Sequence, residues 1–192
     1  MGSYSPVGDL PDDLVQSVID DVALPTIRQM AADGHPYVGF LYCGLALTSA
    51  GPKVIEFNCR LGDPETQAVL PLLESDLLAT LRDAADGSLD GEPLTFSDRA
   101  AVNVVLASGG YPESPRKGDV IHGMQDIDGE VLVFHAGTTV DDHGRTRTNG
   151  GRVLSVVGLG NDVASARSTA YEAASKITWK QQQYRTDIAG GE

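Results

Sequence analysis

The chain has 192 residues, 41% of them apolar, with 27 acidic side chains against 14 basic ones and a formal charge of −13. That length allows one domain or two small ones with real cores, and a balance with only 4 Lys disfavours nucleic acid as a partner, because no basic stripe can replace counterions along phosphates. Cys43 and Cys59 lack metal-site or disulfide-framework spacing, no apolar run nears the ~20 residues of a membrane span, and the opening "MGSYSPVGDLPDD" is unlike a secretion signal, so no membrane partner and a cytoplasmic location are expected.

"MGSYSPVGDLPDD" reads as a Pro/Asp-rich cap before a helix. From Pro11 to Gly34 the residues Leu14, Val15, Val18, Ile19 and Val22, then Ile27, Met30 and Ala31, recur at helical spacing, with Asp12 and Asp13 at the favourable amino-terminal end. Pro25 either kinks one helix or separates two, and Gly34 supplies the stop. Residues 37–48 form an apolar run rich in β-formers, "SAGP" is a turn and "KVIEFNCR" a second strand, which predicts a hairpin. Helices are expected from about Glu65 to Leu70 and from Ser75 to Ala85, the second with Leu77, Leu78, Leu81 and Ala84 on one face and ending near Gly87.

Residues 87–98 concentrate Gly, Pro, Ser and Asp and mark a domain boundary, which gives domains 1–95 and 96–192. Beyond it, "AAVNVVLAS", "VIHGM", "EVLVFHAGTTV" and "GRVLSVVGLG" read as short strands. A closing helix is expected from Asn161 as N-cap, with Val163, Ala166, Ala170, Ala174 and Ile177 on one stripe. His35, His122, His135 and His143 lack metal-ligand spacing and read as structural, while Trp179 and Tyr184 anchor the tail.

Chemistry concentrates in "VIEFNCRLGDPETQ", residues 54–67. On a regular strand Glu56, Asn58 and Arg60 point one way, about 7 Å apart per step, while Ile55, Phe57 and Cys59 point the other and form a packed, apolar face. A carboxylate and an amide oxygen suit a hard cation that also takes phosphate and water ligands, and a neighbouring guanidinium suits a phosphate oxygen. The solvated face of an edge strand carries the same alternation, so spacing alone leaves both readings open. The turn Gly62-Asp63-Pro64 that follows, leading into Glu65, Thr66 and Gln67, crowds further polar groups beside those candidate ligands.

This stretch, with "MGSYSP", "VVLASGGYP", "KGDVIHG", "FHAGT" and "NGGRVLSVVGLG" in the same order, resembles the phosphoribosylamine-glycine ligase family, ATP-grasp enzymes of purine synthesis. The resemblance implies an α+β fold: the C-terminal half of an ATP-grasp domain, antiparallel strands with helices, followed by a small β-rich domain with a closing helix. It implies that Glu56 and Asn58 are ligands of Mg2+ or Mn2+, and that Arg60 has a catalytic role at the ATP phosphates. Gly62, Asp63, Pro64 and Glu65 take a substrate role in the signature turn, and Arg152, aimed by Gly150 and Gly151, lies on the substrate side.

The family joins glycine to 5-phosphoribosylamine with ATP, by way of a glycyl phosphate. Its pattern places an N-terminal domain and the adenine-binding part ahead of this region. The resemblance therefore also implies a fragment inactive alone: a truncated gene product, an expressed piece of a longer enzyme, or one part of a split enzyme completed by a separate chain carrying the N-terminal half. A non-catalytic scaffold for purine enzymes, or another ATP-grasp ligase, are the alternatives.

Overall fold

The structure, a computed structural model, describes residues 1–8, 10, 11, 13–89, 91 and 93–191. Asp12, one of the two acids expected at a helix start, and two positions of the 87–98 boundary therefore lie outside the described residues. In chain order the elements are β1 (Gly2–Ser5), α1 (Leu14–Val18), a π-helical turn (Ile19–Ala23), α2 (Leu24–Ala32), β2 (Tyr42–Thr48), β3 (Gly51–Asn58), α3 (Thr66–Val69) and α4 (Leu77–Asp86). There follow β4 (Ala100–Ala107), β5 (Val131–His135), β6 (Thr138–Val140), β7 (Thr146–Thr148), β8 (Arg152–Gly160) and α5 (Val163–Lys176). The class is α+β, as expected, with every strand pairing antiparallel.

Two compact units divide the chain: residues 1–6, 63–73 and 96–192 form one, and 7–62 with 74–95 the other. The first is built on a four-stranded sheet in the order β1-β4-β8-β5. All eight residues of β4 are buried, which a strand covered on both faces requires and which explains its unbroken apolar run. Val102, Val104 and Leu106 pack on one face with Ala166, Ala170, Ala174 and Ile177 of the α5 stripe. On the other face Ala101 and Val157 meet Ala68 and Leu72.

Several local expectations change in this unit. "MGSYSP" is an edge strand rather than a cap, because residues 2–5 find ladder partners at Ala101–Val104. "VIHGM" makes only the single bridges Val120 to Arg147 and His122 to Thr178. "EVLVFHAGTTV" breaks into β5 and β6. The N-cap of α5 is Asp162, not Asn161: its carboxylate accepts the Ser165 amide at 2.7 Å, and Ser165 Oγ returns a bond to the cap's own N–H. Trp179 is buried and the Tyr184 ring lies 6.3 Å from that of Tyr171, so both hold the C-terminal stretch.

The β6–β7 hairpin is closed by one carboxylate. Asp141 accepts the backbone amides of Arg145 and His143 at 2.9 and 3.0 Å and the Nε groups of Arg145 and Arg147 at 2.9 and 2.6 Å. The Arg145 amide first, then the Arg147 guanidinium, holds its carboxyl well below the usual carboxylate range. A depressed folded pKa gives stability that is present above the unfolded value near 3.9 and lost as pH falls toward the folded value. Acid titration followed by NMR is therefore expected to open this hairpin only below pH about 4. Asp141→Asn should loosen it at neutral pH and remove that acid dependence; an Asn variant that still closes and titrates as the parent would refute the assignment.

The second unit contains the helical segment, the β2–β3 hairpin and α4. Pro25 stands at the start of α2, and the π-helical turn immediately before it accommodates the missing N–H within one continuous helical run. Asp76 caps α4 by accepting the Ala79 amide, and Gly87 ends it in the left-handed conformation, φ 68°. The first strand covers only residues 42–48 of the expected 37–48. None of the buried hydrophobic side chains described belongs to this unit, and Leu78, in the predicted apolar stripe of α4, is 77% exposed.

Candidate active site

The pairing of β2 with β3 contains a bulge: Gly44 faces Glu56, but Leu45 faces Val54, so Ile55 is the extra residue. The bulge breaks strict alternation just before the polar pair and preserves it after. Glu56 and Asn58 consequently share a face, with Asn58 Nδ2 donating to Glu56 Oε1 at 2.9 Å.

The opposite face departs from expectation. Ile55 is 70% and Phe57 43% exposed, and Cys59 is exposed rather than set in apolar surroundings. A two-stranded ribbon has no second sheet or helix layer of its own to bury them, and the bulge takes Ile55 out of the ladder. The strand stops at Asn58, so Arg60 lies in the bend beyond it rather than in line with Glu56 and Asn58, donating Nη1 to the Leu61 carbonyl at 3.0 Å.

In the other unit, Asp63 is held from two sides. Its carboxylate pairs with Arg152 Nη2 at 2.9 Å and accepts Gln67 Nε2 at 3.0 Å, while its carbonyl accepts Arg152 Nη1 at 2.9 Å. Pro64 is buried, and its carbonyl accepts Ser3 Oγ at 2.6 Å and Asn103 Nδ2 at 3.0 Å. Glu65 immediately precedes α3, whose first bonds its carbonyl accepts from Ala68 and Val69 at 3.0 and 3.1 Å.

Arg152 reaches this turn from the first position of β8. Gly150 and Gly151 prepare that approach: their carbonyls accept Ser108 Oγ and the Ser108 amide, both at 2.8 Å, and a Cβ on Gly151 would stand 2.4 Å from the Tyr111 ring. The structure thus joins Glu56 with Asn58, and Asp63 with Arg152. Gly62 is buried at the end of the second unit, where the chain passes to Asp63 of the first.

Ser3 and Asn103 were not among the candidates. Asn103 was open to discovery as the lone amide in "AAVNVVLAS", since a buried polar side chain needs a partner; nothing in the sequence marks Ser3.

As metal ligands, Glu56 and Asn58 are two hard oxygen donors on an exposed strand face. Among the described residues no group of three or more His, Cys, Asp and Glu could cage an ion. That donor set fits Mg2+ or Mn2+ retaining water and substrate phosphates, and does not fit zinc.

The family model "Phosphoribosylglycinamide synthetase, ATP-grasp (A) domain" matches residues 1–66, and "Phosphoribosylglycinamide synthetase, C domain" matches residues 101–191. The phosphoribosylamine-glycine ligase of Neisseria meningitidis serogroup A is 48% identical over 190 residues, covering 98% of this chain and 45% of that protein. That of Leifsonia xyli is 51% identical over 193 residues, covering 98% and 46%. The crystal structure of the Thermotoga maritima enzyme superposes with TM-score 0.85 at 38% identity, over 98% of this chain and 46% of that one. A biotin carboxylase domain of a thermophilic 2-oxoglutarate carboxylase shares the fold alone, with TM-score 0.66 at 13% identity.

Fold and family models together place the chain in the ATP-grasp class. Within that class, the chain belongs to the phosphoribosylamine-glycine ligase family. It spans about half the length of the curated relatives it matches, 45% of the Neisseria protein. No helix among the described residues is long and apolar enough to cross a membrane.

Proposed function

We propose that the chain is the C-terminal part of a ligase that joins glycine to 5-phosphoribosylamine at the expense of ATP, in purine synthesis in the cytoplasm, with residues 1–95 as its ATP-grasp portion and 96–192 as its C-terminal domain. The observation that carries the reading is identity of 48% to ligases of that name across 98% of the chain, with the signature segment intact.

In this reading Glu56 and Asn58 hold the divalent ion, and Arg60 stabilises negative charge on the transferred phosphoryl group. When bound, Mg2+ or Mn2+ supplies neutralisation of phosphoryl oxygens. Gly62, Asp63, Pro64 and Glu65 bind substrate, and Arg152 both fixes Asp63 and borders the substrate. Because phosphoryl transfer depends chiefly on positioning and electrostatics, these residues need a fixed frame more than an unusual pKa.

The exposed apolar side chains of the second unit, Ile55, Phe57 and Leu78 among them, support a further element of the reading. Activity requires the segments that the relatives carry in their other half, on this chain or on a second one. Assayed alone with glycine, phosphoribosylamine, ATP and Mg2+, the 192 residues are expected to turn over at background, and addition of the N-terminal half of the Neisseria ligase is expected to restore ADP formation dependent on both substrates. Full turnover by the chain alone would overturn the two-part reading.

A further inference from the structure

We infer that Asn103, acting with Ser3, is a positioning residue that fixes the Asp63–Gln67 segment for substrate binding; the inference rests on the proposed substrate role of that segment. Asn103 is fully buried at the centre of β4, on the face that also carries Ala101 against the 63–73 segment. Its ladder partner on β1 is Ser3, directly opposite. Both side chains aim at one atom: the Pro64 carbonyl accepts Ser3 Oγ at 2.6 Å and Asn103 Nδ2 at 3.0 Å, while Nδ2 also reaches Ser3 Oγ at 3.3 Å.

Among the described residues the Oδ1 of the same amide is buried with no hydrogen-bond partner. A buried unpaired acceptor is costly, and an apolar residue would serve the packing of this strand better. The amide is therefore accounted for by what its Nδ2 holds. With Arg152 gripping Asp63 from β8, three adjacent strands, β1, β4 and β8, each send one side chain to the two carbonyls of Asp63 and Pro64. A turn pinned at successive carbonyls by a rigid sheet cannot drift as a loop would.

Replacement by an apolar, β-branched residue removes the donors while suiting the strand. In Asn103→Val, amide exchange at Ala68 and Val69, which close on the Glu65 carbonyl, is expected to accelerate at least about tenfold, with the β4–β8 ladder amides and the urea midpoint unchanged. In the ligase completed by the N-terminal half, KM for glycine or phosphoribosylamine should rise about tenfold or more while kcat falls less than about threefold. Should Asn103→Val not fold, Ser3→Ala removes the second donor from the sheet edge and is read in the same two ways. Unchanged exchange would overturn the positioning role and leave the substrate reading of the turn standing. Faster exchange with unchanged KM values would overturn both.

Discussion

Glu56→Ala in the completed ligase is expected to lower kcat/KM by about 100-fold or more and to shift the Mg2+ concentration for half-maximal rate upward, with Asn58→Ala doing the same to a smaller degree. The two side chains share one face of β3 and are bonded to each other at 2.9 Å, so loss of Glu56 removes both a ligand and the group that orients its neighbour. Excess metal should partly rescue Asn58→Ala, which keeps the charged ligand, and rescue Glu56→Ala less.

The control lies one residue away. Ile55 is 70% exposed and is the bulged residue, so Ile55→Val removes a methylene that is already in water. Its stability change should stay within about 0.5 kcal/mol, and activity should be retained. Had the side chain been packed as strict alternation implies, the cost would be about 0.5 to 1.5 kcal/mol. Equal activity losses from Ile55→Val and Glu56→Ala, with folding intact, would contradict the assignment of function to the Glu56 face.

What could be read in advance follows from how local each signal is. The Ala166-Ala170-Ala174 stripe and the Gly87 stop are set by periodicity and backbone conformation within a few residues, and they stand in the structure at those positions. The Glu56–Asn58 pair was legible because i and i+2 share a strand face whatever the partner strand does. The bulge was not, since it depends on register with β2, and it decides which way Ile55 goes. β1 was missed for a related reason: four residues of "GSYS" carry no alternation, and they become a strand only because β4 offers an edge. The contact of Asp63 with Arg152 spans 89 positions, and only the fold could bring that pair together. Gly151 hints at Arg152 only as a turn that aims it.

Gly158 sets a large stability effect in the first unit. It lies in β8, between Val102 of β4 and Val131 of β5, and its φ is unexceptional, so room rather than backbone freedom explains it. A Cβ there would stand 2.3 Å from the Ala170 nitrogen and 2.4 Å from the Ala166 carbonyl oxygen, both backbone atoms of α5. Two residues on, a Cβ at Gly160 would meet the Ala166 nitrogen at 2.4 Å. Helix and strand thus approach backbone to backbone, glycines facing alanines, and no rotamer change can relieve a side chain inserted between them.

Gly158→Ala forces the helix outward and Gly158→Val forces it further, opening the layer formed by Val156, Ala170, Ala174 and Ile177. Overpacking a close-packed core typically costs 1–3 kcal/mol, so about 3 kcal/mol is expected for Val and less for Ala. Against a total stability of about 5–15 kcal/mol, that is a large fraction. The measurement is the urea midpoint of the series Gly158→Ala and Gly158→Val, with Leu78→Ala, at a side chain 77% exposed, expected to move by less than about 0.5 kcal/mol. A Val variant within about 1 kcal/mol of the parent would mean that α5 is not seated on β8 at this distance. Because α5 and the Asp63–Pro64 turn use opposite faces of the same sheet, lifting the helix should also release the Asn103 side of β4. Gly158→Val is therefore expected to accelerate amide exchange at Ala68 and Val69, where Leu78→Ala does not.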